Sequence, residues 1–365
     1  MNDKNAGSVS QEASHTAKGP LPDKCNRPGD RDFFRTREGM FFCVAGHLHS
    51  PERYTAYLKY SPDSRGKWQN GAVAYRRELP YYHVRNVAHT LEYLQANFPD
   101  YVADCPVRGI RFSLIPRSSV VAYYDPQSRL ASIMKNPGDA LEQEAAELVG
   151  HLSELASIRR DAFGLTGSIL IGMHNLEWSD IDLLVYGRDN ARLLKQAIIR
   201  NQGVAPIGQP DYEQRLKWSR RVAERFPLSV DEAWAISGGR WNYGYFGKRY
   251  FSIHPVRSDA EVSEQYGDHI YRSVGEATIR AMVVRKDDAI FLPATYGVDN
   301  VEVLFGQADA TQIAEIVSHE GLFCDIADEG CRIEAAGQVE TIDGKPGRLI
   351  VGAASQCRRE YIRPV

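Results

Sequence analysis

Long apolar runs are absent from this chain of 365 residues, and none of its apolar stretches approaches the roughly 20 residues that a membrane-spanning helix requires. The polar N-terminus has no signal-peptide core. The six cysteines form no CxxC pair, so zinc-finger spacing is absent. There is also no excess of basic charge, because 44 Lys and Arg residues stand against 47 Asp and Glu residues, which gives a net charge of −3 and a pI near 6.4. These absences argue against non-specific binding of nucleic acid, and we expect a cytoplasmic protein that engages neither a membrane nor DNA.

The remaining composition, 43% hydrophobic and 25% charged residues, is that of a folded protein with two or three domains. Residues 1–30 are polar and predict a disordered tail. β-rich runs and an amphipathic helix over Tyr82–Phe98 predict an N-terminal α+β module at 31–136. The region 137–258 follows the Asn-Pro-Gly segment at that boundary and contains the strongest motif of the chain.

Short strand candidates dominate the last part of the chain and predict a C-terminal β-rich module at 259–365, a small barrel or an open sandwich. One helix, Thr311–Ser318, is predicted to interrupt the strands. Because many of its charged residues are acidic, this module is not a basic platform for nucleic acid. We expect it to form a dimer contact or to position an acceptor.

The motif begins with Gly167-Ser168 and ends with Ser179-Asp180-Ile181-Asp182, which runs into an apolar segment. Side chains two apart on a strand point to the same face, so the carboxylates of Asp180 and Asp182 are expected side by side. Glycine lets the backbone approach a phosphate closely, and Ser168 is predicted to start a helix over Ile169–His174 whose free N–H groups favour an anion.

Two adjacent carboxylates stay ionised only when a cation lies between them, and hard oxygen ligands are those that Mg²⁺ prefers. We therefore predict that Asp180 and Asp182 are catalytic ligands of Mg²⁺, with Mn²⁺ as a substitute. Gly167, Ser168 and Ser179 are predicted to bind the nucleotide. Each half of the motif is common in turns or solvated strands, but their combination at this spacing favours a catalytic metal site.

The glycine-serine pair, the spacer and the Asp-Ile-Asp segment before apolar residues resemble the signature of the DNA polymerase beta nucleotidyltransferase superfamily. The layout of the whole chain resembles a group of mostly archaeal predicted nucleotidyltransferases. The resemblance implies an α/β (α+β) fold, with a mixed sheet and helices in the central domain. It also implies transfer of a nucleoside monophosphate from an NTP to an acceptor, with release of pyrophosphate.

The superfamily pattern calls for a third carboxylate on a later strand, and the hairpin predicted over Tyr243–Val256 has none. By alternation, Ser252 and His254 share the polar face of its second strand, so one of them is expected at that position. Ser252 is predicted to lie at the nucleotide. His254 is a candidate general base or weak metal ligand, with a purely structural hydrogen bond as the alternative.

A helix predicted over Asp211–Arg225 carries a run of basic residues. Arg215 and Arg221 are candidates for binding the leaving pyrophosphate, because a guanidinium group offers paired donors to phosphate oxygens. The alternative is a solvated basic face.

Residues and resemblance together predict a magnesium-dependent nucleotidyltransferase that uses ATP or CTP. The acidic pI favours a small-molecule or protein acceptor over the alternative, an RNA 3′ end. A second alternative is a regulatory protein that binds nucleotide and has lost catalysis together with the third carboxylate. The sequence leaves the acceptor's identity and the oligomeric state open.

Overall fold

The computed structural model describes residues 23–79, 84–306, 308–352 and 360–365. Three β-sheets and seven α-helices in these ranges make an α+β fold, and each sheet is built from one continuous part of the chain. None of the described helices has both the length and the apolarity needed to cross a membrane.

The first sheet forms the N-terminal module and contains eight strands paired antiparallel. They are β1 (Phe33–Thr36), β2 (Phe41–Val44), β3 (Arg53–Pro62), β4 (Trp68–Asn70), β5 (Val73–Arg77), β6 (Val102–Cys105), β7 (Ile110–Pro116) and β8 (Val120–Tyr124). Successive side chains of a strand point to opposite sides, so each strand contributes to both faces of the sheet. Both faces are buried. One face packs on α1 (Val84–Asn97), and the other packs on Leu170, Ile171 and Met173 of the central module.

The disordered tail predicted over residues 1–30 is wrong for residues 23–30. Residues 1–22 lie outside the described residues, whereas 23–30 pack on the N-terminal module. Cys25 and Asp30 are buried there, and Lys24 forms an ion pair with Asp125. A single buried cysteine among polar residues has no periodicity by which the sequence could reveal this contact.

The second sheet belongs to the central module and has the strand order β11-β12-β13-β10-β9. These strands are β9 (Phe163–Leu165), β10 (Ile181–Tyr186), β11 (Ile207–Gly208), β12 (Tyr243–Phe246) and β13 (Arg249–Val256). Its helices are α2 (Pro126–Lys135), α3 (Ala140–Ala156), α4 (Gly167–Leu170), α5 (Arg188–Arg200), α6 (Tyr212–Arg225) and α7 (Val230–Gly238). Strands β10 and β13 are parallel and the other pairs antiparallel, which makes the predicted mixed sheet.

Side chains cap the starts of α3 and α7. Asp139 accepts hydrogen bonds from the backbone N–H groups of Leu141 and Glu142 at the start of α3. Ser229 and Glu232 form the reciprocal capping box of α7. The boundary of the central module lies earlier than residue 136, because Leu130 and Ile133 of α2 are buried in its core.

The C-terminal module is a small barrel. Its strands are β14 (Tyr271–Asp288), β15 (Ala294–Gly306), β16 (Glu315–Ser318), β17 (Arg332–Ile342), β18 (Lys345–Val351) and β19 (Tyr361–Pro364). Strand β14 pairs with both β15 and β17, so five strands close in the order β14-β15-β16-β18-β17. Helices α6 and α7 pack on the barrel through Val222, Leu228, Ala233 and Ile236.

The helix predicted over Thr311–Ser318 is wrong. A 3₁₀ turn, Ala308–Gln312, is followed by the strand β16. This strand pairs with β15 on one side and β18 on the other, and Ile316 is fully buried in the barrel core. Tertiary pairing therefore overrides a local pattern that fits one helical turn.

Candidate functional site

The two carboxylates of the motif lie at the beginning of β10, as predicted. Asp180 immediately precedes the strand and is exposed, and Asp182 is its second residue with a side chain 29% exposed. Between them, Ile181 points the other way into the core of the central module. Alternation on a strand thus places both acidic groups on the open side of the sheet.

The glycine of the motif lies directly against Asp182. Gly167 has φ +67°, and a Cβ built on it would stand 2.5 Å from Asp182 Oδ2. The N–H of Thr166, one residue earlier, donates a 3.0 Å hydrogen bond to the carbonyl of Asp182. Any side chain at Gly167 would therefore need both an unfavourable backbone conformation and the space of the carboxylate.

The helix predicted over Ile169–His174 is wrong in extent and start. Helix α4 spans only Gly167–Leu170, so Ser168 lies inside it, and Thr166 precedes it without a side-chain capping bond. A single turn sums few peptide dipoles, and its attraction for an anion is correspondingly small. Backbone proximity at Gly167, rather than a helix dipole, is what this side of the site offers.

Ser179 has a structural task in this site. Its buried hydroxyl accepts a 2.9 Å hydrogen bond from the N–H of Asn175, and its carbonyl accepts one of 2.9 Å from Arg249 Nη1. Arg249 also donates to the carbonyl of Leu176 and pairs with Glu144. These contacts close the turn that precedes Asp180, and both Ser179 oxygens accept a hydrogen bond within it.

Ser252 and His254 both face the carboxylates from the neighbouring strand. Ser252 is the register partner of Asp182, and its Oγ is 2.5 Å from Asp182 Oδ1 and 2.9 Å from His254 Nε2. The ionised carboxylate can only accept, so the serine proton is donated to Asp182 and Nε2 of His254 must donate to Ser252. The result is a directed chain from His254 through Ser252 to Asp182.

The two carboxyl groups differ in their tendency to ionise. Burial among the cleft walls, followed by the nearby Asp182, raises the pKa of Asp180 to about 6 although its side chain reaches solvent. Burial opposes ionisation of Asp182 as well, but hydrogen bonds from the His254 and Ser252 side and the Lys59 ammonium outweigh it and lower its pKa. Burial and the charge of Arg31 lower the pKa of His254 to about 4, so its imidazole is neutral at pH 7.

Sequence reasoning missed the basic residues of the site, because they come from the N-terminal module. Lys59 of β3 and Arg77 of β5 lie on paired strands. Their charges favour the ionised form of Asp180 and so oppose part of the rise in its pKa. Burial, followed by the charge of Arg77, lowers the pKa of Lys59 to about 8. A lysine within a strand of buried residues was the one available signal, since lysine is rarely buried without a role.

Direct contacts hold the N-terminal module against the motif. Thr166 Oγ1 donates a 2.9 Å hydrogen bond to the carbonyl of Arg31, and Asn70 Nδ2 donates one of 2.8 Å to the carbonyl of Ile171. The rings of Trp68 and Trp178 meet edge to face with their centroids 5.4 Å apart. The carboxylate pair therefore lies in a cleft between two modules.

Arg215 and Arg221, the candidate phosphate ligands of the basic helix α6, differ in their surroundings. Arg215 Nε donates a 3.1 Å hydrogen bond to Ser237 Oγ, and its guanidinium lies 4.2 Å from the centroid of the Trp234 ring. It ties α6 to α7. Arg221 is exposed on the same helix. The solvated-face interpretation fits Arg221, and a helix-packing role fits Arg215.

A second acidic group, Asp139, Glu142 and His174, brings its ligand atoms within 4.8 Å of one another. Its oxygens already have donors. Asp139 caps α3 and bonds to His174 Nε2 at 2.7 Å, and Glu142 pairs with Arg129 and accepts from the N–H of Gly138. We attribute this cluster to helix capping and not to a metal.

The chain is similar in sequence to an archaeal protein. The chain is 26% identical over 345 residues to an uncharacterized protein of the archaeon Methanocaldococcus jannaschii, a match that covers 91% of this chain and 98% of the relative. No known protein family matches the chain. No solved structure matches it either.

Proposed function

We propose that the protein is a metal-dependent nucleotidyltransferase. It transfers a nucleoside monophosphate from an NTP, ATP or CTP, to a small-molecule or protein acceptor and releases pyrophosphate. The observation that carries this proposal is the contact between the two halves of the motif, where Gly167 leaves the space that Asp182 occupies. The two ends of the motif thus place a backbone turn without a side chain beside two carboxylates that face an open cleft.

The residues fit a divalent cation of the magnesium type. Asp180 and Asp182 would hold Mg²⁺ or Mn²⁺, because both offer carboxylate oxygens toward the cleft and Ser252 fixes the orientation of Asp182. Such an ion, when bound, would offset the negative charge that develops on the phosphate oxygens during the transfer. Burial and, after it, repulsion by Asp182 raise the pKa of Asp180, and the same ion would relieve that repulsion.

The chain's own groups account for binding of the triphosphate. Lys59 and Arg77 carry positive charge from the N-terminal module toward the carboxylate pair. In this proposal they bind phosphate oxygens and stabilise the pyrophosphate as its bond to the α-phosphorus breaks. The backbone at Gly167 has no side chain, so it can approach the phosphates of the nucleotide closely.

His254 has a different task from the predicted general base. Because Nε2 donates to Ser252, the imidazole orients the serine hydroxyl and thereby Asp182. His254 is a positioning residue in this proposal, and Ser252 occupies the position where the resemblance called for a third carboxylate.

The test is release of pyrophosphate from each of the four NTPs with Mg²⁺ or Mn²⁺, with and without cell extract as the source of acceptor. Asp180→Asn should abolish release while it leaves the fold intact, because one metal ligand is lost without a change in size. Asp299→Asn, at an exposed aspartate of β15, is the matched control and should behave like the wild type.

Turnover at the wild-type rate in Asp180→Asn would refute the assignment. Nucleotide binding without release from any NTP would favour the alternative of a protein that has lost catalysis, with the serine at position 252 as its cause. Release that depends on added RNA would instead identify an RNA 3′ end as the acceptor.

A further inference from the structure

A cavity of about 570 Å³ lies between the N-terminal module and the barrel. Its walls are largely apolar. Val87 and Leu91 of α1 and Phe112 of β7 form one side, and Leu292, Pro293 and Ile350 form the other. Cavities of roughly 300–1,000 Å³ with such walls bind small organic molecules.

One part of the cavity wall carries unbalanced positive charge. Arg108 and Arg348 both line it, with their guanidinium groups 5.7 and 4.0 Å from the centroid of the Tyr271 ring. Arg348 is paired with Glu340 at 2.5 Å, whereas Arg108 has no carboxylate partner within 4.0 Å in the part of the chain that the structure describes. Two guanidinium groups therefore share one carboxylate.

The same excess of positive charge acts on His319. It lines the cavity beside these arginines, and burial together with the charges of Arg108 and Arg348 lowers its pKa to about 3. The other acidic groups of the wall are Asp30, 3.7 Å from Arg31, and Glu92 at the exposed rim. Neither offsets Arg108 directly, so this part of the wall suits a ligand with a single negative charge.

The cavity adjoins the candidate active site through Arg31. Arg31 lines it, and the carbonyl of Arg31 accepts the 2.9 Å hydrogen bond from Thr166, the residue before Gly167. The charge of Arg31 acts on His254, which belongs to the chain of hydrogen bonds that ends at Asp182. Arg31 therefore links the wall of the cavity to the turn at Gly167 and to the hydrogen-bond chain that ends at Asp182.

We propose that this cavity binds the acceptor, and that the acceptor is a small organic monocarboxylate with an apolar body. Arg108 binds the carboxylate, the apolar walls bind the body, and a hydroxyl group lies at the Arg31 side. The identity as acceptor rests on the proposed nucleotidyl transfer, whereas the binding site does not. In the transfer, the hydroxyl oxygen bonds to the α-phosphorus as the bond to the bridging oxygen of pyrophosphate breaks, and the hydroxyl proton passes to water.

The binding test needs neither nucleotide nor metal. Calorimetric titration compares 4-phenylbutyrate, its neutral counterpart 4-phenylbutan-1-ol, and acetate. We expect one molecule of 4-phenylbutyrate to bind per chain, and acetate to bind far more weakly because it lacks the apolar body. Arg108→Gln should weaken 4-phenylbutyrate about tenfold or more, since a charge-assisted hydrogen bond is lost, and leave the alcohol unchanged.

Two further variants sharpen the result. Ala88→Trp, on the α1 wall, should fill the cavity and weaken both aromatic ligands. Arg332→Gln, at an exposed ion pair of the barrel, is the matched control and should change neither affinity. Equal affinity for acid and alcohol, or unchanged affinity for the acid in Arg108→Gln, would overturn carboxylate recognition. Absence of saturable binding by either aromatic ligand would overturn the site.

The pyrophosphate assay separates this inference from the proposed function. If 4-phenylbutyrate binds as described and no NTP releases pyrophosphate, the cavity is a binding site and the transfer is wrong. If extract-dependent release occurs and 4-phenylbutyrate neither binds nor competes with the acceptor in the extract, the transfer stands and the cavity assignment is wrong.

Discussion

Ser252 Oγ donates a 2.5 Å hydrogen bond to Asp182 Oδ1, and the two residues are register partners on the parallel strands β13 and β10. A hydroxyl therefore occupies the place beside Asp182 where a third carboxylate would give a metal one more ligand. The neutral group leaves the site with two acidic residues, and this number determines how strongly it can hold a divalent cation.

Ser252→Asp should convert the site into one with three carboxylates. We expect a lower melting temperature without metal, because the new charge repels Asp182, and a larger rise on addition of Mg²⁺ than in the wild type. Thermal unfolding across a magnesium titration measures both effects. Ser252→Asn, polar and uncharged, is the control, and identical metal dependence in the two variants would contradict a metal at this position.

Gly167→Ala should impair both stability and activity. The backbone at φ +67° costs an alanine about 1 kcal/mol, and the added methyl group would displace Asp182 Oδ2, which lies 2.5 Å from its position. Gly172→Ala is the matched control, because Gly172 has φ +64° with nothing within 4 Å of the new Cβ. Denaturant unfolding should show destabilisation in both variants, and loss of metal-dependent activity only in Gly167→Ala. Full activity in Gly167→Ala would separate this glycine from the site.

His254 should contribute no ascending limb to the pH–rate profile between pH 5 and 8. Its pKa lies near 4 because of burial and Arg31, so the imidazole is neutral across that range and gains a proton only below it. His254→Gln can still donate to Ser252 and should retain activity within about tenfold with an unchanged profile, whereas His254→Ala should lose more. A limb near pH 6 to 7 that disappears in His254→Gln would restore the general-base role.

Lys59 should make nucleotide affinity dependent on pH above neutrality. Burial and Arg77 lower its pKa to about 8, so the ammonium is charged below that pH and loses its charge above it. We expect KM for the NTP to rise as pH increases through about 8. Lys59→Met should raise KM about tenfold at pH 7 and remove this dependence, because one charged phosphate contact is lost. Lys59→Arg should keep the low KM and shift the limb to higher pH. An unchanged KM in Lys59→Met would place the triphosphate elsewhere.

Asp32 should make the fold less stable as pH rises. Its carboxyl is 1% exposed, and burial raises its pKa to about 7 in spite of hydrogen bonds from Tyr123 and Gly29. The folded chain therefore holds this proton more tightly than the unfolded chain, and the resulting stabilisation is complete below pH 4 and lost as pH passes 7. Relative to Asp32→Asn, the wild type should lose up to about 4 kcal/mol of unfolding free energy between pH 4 and 8.

Urea unfolding at several pH values measures this difference. Asp299→Asn, at an exposed position, should follow the wild type throughout. Parallel curves for Asp32→Asn and the wild type would mean that the Asp32 carboxyl has its ordinary pKa in the folded protein.

Local chemistry made some parts of this protein readable from sequence alone. The hairpin predicted over Tyr243–Val256 forms between β12 and β13, because its alternating residues and its turn lie within a few positions of one another. The common face of Asp180 and Asp182 follows from the two-residue period of a strand. The β-rich C-terminal module follows from the same periodicity, whereas the mixed sheet of the central module was expected from the family resemblance.

Other features depended on segments that meet only in the folded chain. Lys59 and Arg77 reach the carboxylates because the N-terminal sheet packs over the turn at Gly167, and no local pattern encodes that contact. The barrel closes through pairing of β14 with β17, whose residues are far apart in sequence. Periodicity and capping are decided by neighbours a few residues away, so sequence alone determined the strands and the carboxylate pair. Pairing and packing over long separations depend on the whole chain, so only the tertiary structure decided which charges and which cavity face that pair.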